Sequence, residues 1–194
     1  MKNKTERKNE IIRTSINLMY LKGYNGTSVK EITDAAGIPK GSFYNYFKDK
    51  EQYAIDAINY YEQYLTLKAS EVLTNKELKP LDRIKEFFKL SIKNLREKNL
   101  KYGCFVGNLT QEMGDVSQLI SNAASKVDET KARLIKENLL EAYQNKELKK
   151  EIDSEILANF ILNSWQGALV RMKMNSNKRP LDDFYSVLCN TLLR

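Results

Sequence analysis

Histidine is absent from the 194 residues, and that absence removes more chemistry than any other feature of the composition. Ser-His-Asp triads, HExxH zinc sites and imidazole proton shuttles all need a side chain that is missing here. Cysteine is scarce: Cys104 and Cys189 are too few for a disulfide framework, which points to a reducing compartment. Glycine and proline number 8 and 3, about half of average usage, leaving little turn chemistry for a many-stranded sandwich or barrel. No apolar run approaches the ~18 residues that span a bilayer, and the polar start MKNKTERKNE has no signal-peptide core. These absences predict a soluble, cytoplasmic, mainly helical protein with no metal site, no cofactor and no membrane partner.

What is present is basic charge, unevenly spread. The formal net charge is +7, from 32 basic and 25 acidic side chains. Residues 1–50 hold ten of the basic and five of the acidic ones, a net of +5, against +2 for the other 144 residues. An excess confined to one quarter suits a surface that meets a polyanion, although a solvated face has the same composition.

Ile11, Ile12, Ser15, Ile16 and Met19 keep a 3.6-residue period, predicting an amphipathic helix over 5–22 that Gly23 ends in a left-handed cap. Ser28 and Glu31 have capping-box spacing at the head of a short second helix with the apolar stripe Val29, Ile32 and Ala36. Gly37 breaks that helix, and Pro39 suits the first turn of a third. Asp49, with Gln52 three residues on, caps a fourth helix running to about Leu73. Polar joints at 74–80, 145–152 and 174–180, with Gly103 and Gly114 around a short segment, divide the rest into about nine helices in all. The pentapeptide Asn-Lys-Glu-Leu-Lys recurs at 75–79 and 145–149 between different flanks, so it reads as coincidence and not as a repeat.

Two short helices joined at Ala35-Ala36-Gly37 spell a helix-turn-helix over 28–47. The second would enter a major groove N-terminal end first, bringing Lys40, Gly41, Ser42 and Asn45 to the base edges. Lys40 suits guanine O6 and N7, Asn45 suits adenine, Ser42 suits either, and Gly41 lets backbone approach DNA closely. Phe43, Tyr44, Tyr46 and Phe47 place four aromatics in five positions. Phe43 and Phe47, four apart, fit the core. Tyr44 and Tyr46 are phenol donors to phosphate, the alternative being that they cover the first helix. Lys50 is a cation in a first helical turn, where the macrodipole disfavours one; a bound phosphate would relieve it, and so would Glu51.

Residues 10–53 resemble the DNA-binding domain of the tetracycline-repressor (TetR/AcrR) family of bacterial transcription regulators. The resemblance is carried by Gly23-Tyr24 and Thr27-Ser28, by Ile32 with Ala35-Ala36-Gly37-Ile38, and by Gly41-Ser42-Phe43-Tyr44-Asn45-Tyr46-Phe47 followed by Lys50-Glu51. It implies an all-α homodimer with a three-helix DNA-binding domain over 1–50. A helical-bundle domain over 51–194 would bind a small ligand and pair with its twin. It also implies that Thr27, Lys40, Tyr44, Tyr46 and Lys50 contact the phosphate backbone, with Ser42 and Asn45 near bases. Ser28, heading the second helix, completes the expected DNA-facing set. Pro39 departs from the Ser or Thr that many members place there, and it has no hydroxyl to offer a phosphate.

Farther along, Ile156, Phe160, Asn163, Gly167, Val170 and Met174 form a heptad-like seam, beside a second stripe of Leu157, Ile161, Ser164 and Ala168. A helix apolar on two faces is buried on both, one against its own core and one against a partner. Ordinary intrachain packing is the alternative. Joined by Leu181, Phe184 and Leu188 of the last helix, the seam predicts a four-helix dimer interface. Phe88, Ile92, Tyr102, Phe105 and Trp165 are candidates to line an apolar ligand pocket, with Asn108 as its polar contact; plain core packing explains each equally well. Cys104 falls in the stretch 102–112, which resembles a Gly-Cys-x-x-x-Asn-Leu signature. That signature occurs in a branch of the family with regulators of electrophile and aldehyde defence, and implies a cysteine sensor as the alternative to a reversibly bound organic ligand. A packed, inert thiol is the third reading.

The expected function is therefore a ligand-responsive repressor on a palindromic double-stranded DNA operator, released by a small-molecule effector. A non-specific basic nucleic-acid-binding protein and a helical-bundle enzyme stand behind it. The lack of histidine, of a metal-ligand cluster and of a phosphate loop weighs against the enzyme.

Overall fold

The computed structural model describes residues 3–100, 102–148 and 152–194. Asn3 opens α1 (Lys4–Lys22) with a capping box, accepting the Glu6 N–H at 2.8 Å while its own N–H donates to the Glu6 carboxylate. Gly23 ends the helix with the expected positive φ, 76°, but its ψ of −178° lies outside the left-handed helical cap. α2 (Val29–Ala35) has the expected Ser28–Glu31 box. Gly37 takes the expected positive φ, 64°.

The third element departs from expectation. Lys40–Asn45 is a 3₁₀ helix, and Pro39 precedes it with ψ 143° instead of occupying its first turn. Six residues that include Gly41, Ser42 and Asn45 are too few, and too poor in helix formers, to propagate an α-helix. Backbone bonds therefore reach three residues back, Ser42 to Pro39 at 2.9 Å and Tyr46 to Phe43 at 3.0 Å. α3 (Lys50–Leu73) follows, its first turn capped by Asp49, which accepts the Gln52 N–H at 2.7 Å. Then come α4 (Pro80–Glu97), α5 (Phe105–Met113), α6 (Gln118–Gln144), α7 (Ser154–Asn175) and α8 (Arg179–Val187), which runs into a π turn over Leu188–Leu192. The described residues are all-α, as expected, with eight α-helices and the 3₁₀ helix. Of the joint expected at 145–152, residues 149–151 lie outside the described ones. No helix among the described residues is long and apolar enough to cross a membrane.

The chain packs as two compact units, residues up to 64 with 105–127, and 65–104 with 128 onward. The division expected after residue 50 is thus not a packing boundary. The reason is α3: its Tyr53, Ala54, Ala57 and Ile58 are wholly buried in the first unit. Tyr53 bonds Ser15 through its hydroxyl at 2.7 Å and packs on the rings of Phe43 and Phe47 at 6.1 and 5.1 Å. Burial pushes the Tyr53 phenol up to about 12. A second aromatic group in this unit joins Tyr20, Tyr61 and Phe105, with ring centroids 5.2–5.9 Å apart.

In the second unit Phe88, Trp165 and Phe184 pack mutually at 5.0–5.3 Å, within a core supplied by α4, α6, α7 and α8. Leu181, Phe184 and Leu188 all belong to that core and are at most 8 % exposed, so they cannot serve as a face for a partner. One apolar stripe on a short helix looks alike in sequence whichever neighbour it meets, and here the neighbours are α4 and α7. α7 does have two faces. Leu157, Ile161 and Ala168 are buried, whereas Ile156, Phe160, Val170 and Met174 are 66, 54, 45 and 75 % exposed in the single chain.

Candidate nucleic-acid interface

Phe43 and Phe47 anchor the recognition segment. Both are buried, 5.0 Å apart, and their anchoring turns the remaining side chains of Lys40–Asn45 outward. Lys40, Gly41, Tyr44 and Asn45 are exposed and Ser42 is half-buried. The Tyr44 ring stands edge-on to Phe43 at 5.4 Å and is 58 % exposed, which leaves its hydroxyl at the surface. Tyr46 is half-buried. It lines a cleft of about 410 Å³ with Asn45 and with Asn3, Lys4 and Arg7 from the start of α1. The Glu10 carboxylate, bonded at 2.6 Å, raises Arg7 above its ordinary value, and Tyr46 adds a smaller contribution.

Two expected phosphate contacts are engaged elsewhere. Thr27 is wholly buried, and its hydroxyl donates to the Gly23 carbonyl at 2.8 Å. The Lys50 ammonium donates to the carbonyls of Tyr24 and Thr27 at 3.1 Å each, and lies 4.2 Å from the centre of the Tyr24 ring. In the DNA-free chain the cation in the first turn of α3 is held by loop carbonyls. Ser28 is exposed but occupied: it accepts the Glu31 N–H at 3.2 Å and its hydroxyl donates to the Glu31 carboxylate at 2.8 Å. Lys22 at 2.6 Å, together with the Ser28 N–H and hydroxyl donating at 2.8 Å each, holds the Glu31 carboxyl at about 2.

The charge that faces outward is consequently smaller than the composition suggests. Lys8 pairs with Asp56 at 2.6 Å, Lys22 with Glu31 and Lys30 with Asp34. Lys40 and Lys48 are exposed and have no carboxylate partner among the described residues. Lys48, and the Lys4 and Arg7 of the α1 end, were not in the expected set. The Asn3–Glu6 capping box was the signal for an ordered helix start at that place.

The expected ligand-contacting residues divide between the units. Phe88 and Ile92 are buried in the core of the second, with Trp165 and Cys104 packed against it. Tyr102 is half-buried there, with the Lys98 ammonium 5.5 Å from its ring. Phe105 belongs instead to the core of the first unit, between Tyr20 and Tyr61, and Asn108 is half-buried on α5 of the same unit. Phe105 and Cys104 are adjacent in sequence, but the boundary between the compact units falls between them.

Comparison with known proteins agrees with this geometry. Residues 11–54 match the family model described as bacterial regulatory proteins, tetR family, and residues 80–188 match the tetracyclin repressor-like C-terminal domain. The chain is 31 % identical over 172 residues to the HTH-type transcriptional repressor DhaR of Mycobacterium sp. (strain GP1), covering 89 % of this chain and 85 % of that protein. It is 33 % identical over 174 residues to the transcriptional regulator AcuR of Cereibacter sphaeroides, covering 90 % and 80 %. The crystal structure of a regulatory protein TetR from Rhodobacter sphaeroides superposes with a TM-score of 0.86 at 32 % identity, over 92 % of this chain and 95 % of that one. The matched models span both the helix-turn-helix and most of the second unit, and the relatives are regulators along nearly their whole length. The chain belongs to the TetR family of bacterial transcription regulators, DNA-binding proteins that are not enzymes.

Proposed function

We propose that the protein is a repressor that binds a palindromic operator as a homodimer and leaves it when a small organic molecule occupies the second unit. The observation that carries the reading is the recognition segment: Lys40, Gly41, Tyr44 and Asn45 exposed over the buried Phe43 and Phe47. Lys40, Ser42 and Asn45 are the groups for base edges. Tyr44, Lys48 and the Lys4–Arg7 turn of α1 are the groups for phosphates. The outer face of α7 supports pairing, because Ile156, Phe160, Val170 and Met174 form a row of exposed apolar side chains that a monomer has no reason to keep. Asn163 and Gly167 lie in the same row, and Gly167 has open space where a side chain would stand, so two such helices can approach closely. The aromatic core around Phe88 and Trp165 supports an apolar effector. Cys104 packs against that core, which favours reversible binding over cysteine chemistry. Acting on chromosomal DNA places the protein in the cytoplasm.

Selection from a random duplex library tests the reading. Enrichment of an inverted repeat is the expected result, with half-sites about one helical turn apart or a multiple of it. Retention of DNA without any enriched sequence would replace it with non-specific polyanion binding.

A further inference from the structure

Glu112 closes the stretch 102–112 and plays no part in the function proposed above. It lies on α5 with both carboxylate oxygens on the loop between α1 and α2. Oε1 accepts the Tyr24 N–H at 3.2 Å and Oε2 accepts the Asn25 N–H at 3.0 Å. The loop is shaped to receive it: at Gly23, where φ is 76°, any Cβ would collide with that carboxylate. The carbonyls of the same loop are held by Lys50 from α3. The loop is therefore gripped through its N–H groups by an anion and through its carbonyls by a cation. It leads straight into Ser28, the N-cap of α2, and α2 packs on the recognition segment.

We propose that Glu112 is the positioning residue through which α5 sets the helix-turn-helix, and the point at which a displacement of α5 lowers operator affinity; this rests on the DNA-binding reading. α5 is a nine-residue helix that begins at Phe105, the residue after Cys104. A stiff helix passes a shift of its first turn to Glu112, about 10 Å along its axis. A carboxylate spanning two backbone donors tolerates little: a movement of ~1 Å takes both bonds beyond hydrogen-bonding distance. Asn25 is exposed, so water replaces its lost bond, and the contact opens without unfolding the unit.

The full-length protein and the selected operator provide the test. Glu112→Ala is expected to raise the operator Kd about tenfold and to speed hydrogen exchange at the Tyr24 and Asn25 amides, leaving α4, α7 and α8 unchanged. Glu112→Gln keeps one acceptor and falls between Ala and wild type. Exchange is read without DNA, so a failed operator selection removes the DNA-binding reading, and the two amides still decide whether Glu112 holds the loop. Wild-type exchange at those amides, wild-type operator affinity, or faster exchange throughout the first unit in Glu112→Ala each overturns the proposal.

Discussion

Arg83→Met isolates the one wholly enclosed guanidinium among the described residues. Arg83 is 3 % exposed, and its Nε donates to the Asn75 carbonyl at 2.6 Å. Nη1 donates to Asn138 at 3.2 Å and to Glu141 at 2.8 Å, and Nη2 closes the fork on Glu141 at 3.2 Å. Asn138, itself buried, donates in turn to the Leu73 carbonyl at 2.9 Å, so the group ties the C-terminal end of α3 to α4 and α6. Methionine keeps the volume and the apolar stem, but strands the Asn138 oxygen, leaves the Asn75 carbonyl with only the Leu78 N–H, and removes one of the two cations on Glu141. Breaking a buried pair costs ~3–5 kcal/mol, and the one-third exposure of Glu141 moves the expectation to about 3 kcal/mol. For a chain of this length that is a fall in Tm of roughly 6–12 °C. Lys76, the other cation on Glu141, is 73 % exposed, and Lys76→Ala should cost under ~1 kcal/mol. Urea unfolding followed by Trp165 fluorescence measures both, at one protein concentration because dimerisation is linked to folding. A loss below ~1 kcal/mol for Arg83→Met, or an equal loss for Lys76→Ala, would refute the reasoning from burial.

Phe160→Glu should give a monomer by sedimentation equilibrium. Burying about 100 Å² of the ring on each protomer contributes about 5 kcal/mol per dimer, more than a thousandfold in Kd, and an unchanged dimer would move the interface off α7. Lys48→Met should reduce the salt dependence of operator binding by about one counterion per protomer and Lys40→Met should relax the preference at particular bases, whereas Lys50→Met should weaken binding with the slope unchanged; a reduced slope for Lys50→Met would restore it to the phosphates. Glu31 and Glu141 are held at about 2 against an unfolded value of 4.5, so the stability they confer is intact above about pH 4.5 and is lost as the pH falls toward 2. Tyr53 works in the opposite direction: burial raises it to about 12, so its contribution is intact below pH 10 and is lost between 10 and 12, both limits being readable from Tm against pH.

Local signals were readable and distant ones were not. The α1 stripe, the Ser28 box, the Gly37 turn, the Asp49 cap and the buried Phe43–Phe47 pair each depend on residues within about one helical turn, and sequence spacing predicts all of them. The intrachain partners of Lys50 and Thr27 were not legible, for different reasons. The partners of Lys50 are carbonyls 23 and 26 residues away, a distance over which no periodicity acts. Thr27 bonds a carbonyl only four residues back, but its burial depends on the loop around it. The two apolar stripes of α7 were legible, and they are one buried and one exposed face in the single chain. α8 was not, because its single stripe is satisfied by its own core.

The same distinction governs the charge. A net of +5 in the first fifty residues suggested a broad cationic face, yet Lys8, Lys22, Lys30 and Lys50 spend their ammonium groups on Asp56, Glu31, Asp34 and two loop carbonyls. Those ties have a use of their own. Lys8 joins α1 to α3, Lys22 joins the end of α1 to the start of α2, and Lys50 joins α3 to the loop between them, so three cations brace the frame on which the recognition segment stands. The exposed cations of this segment with no carboxylate partner among the described residues are then few, Lys4, Arg13, Lys40 and Lys48, since Arg7 is already paired with Glu10 at 2.6 Å. Few phosphate contacts make a weak non-specific ligand. In the homodimer proposed above, base contacts from Lys40, Ser42 and Asn45 and a second recognition segment from the twin would supply the remaining affinity, which would tie the α7 face and the operator symmetry into one mechanism.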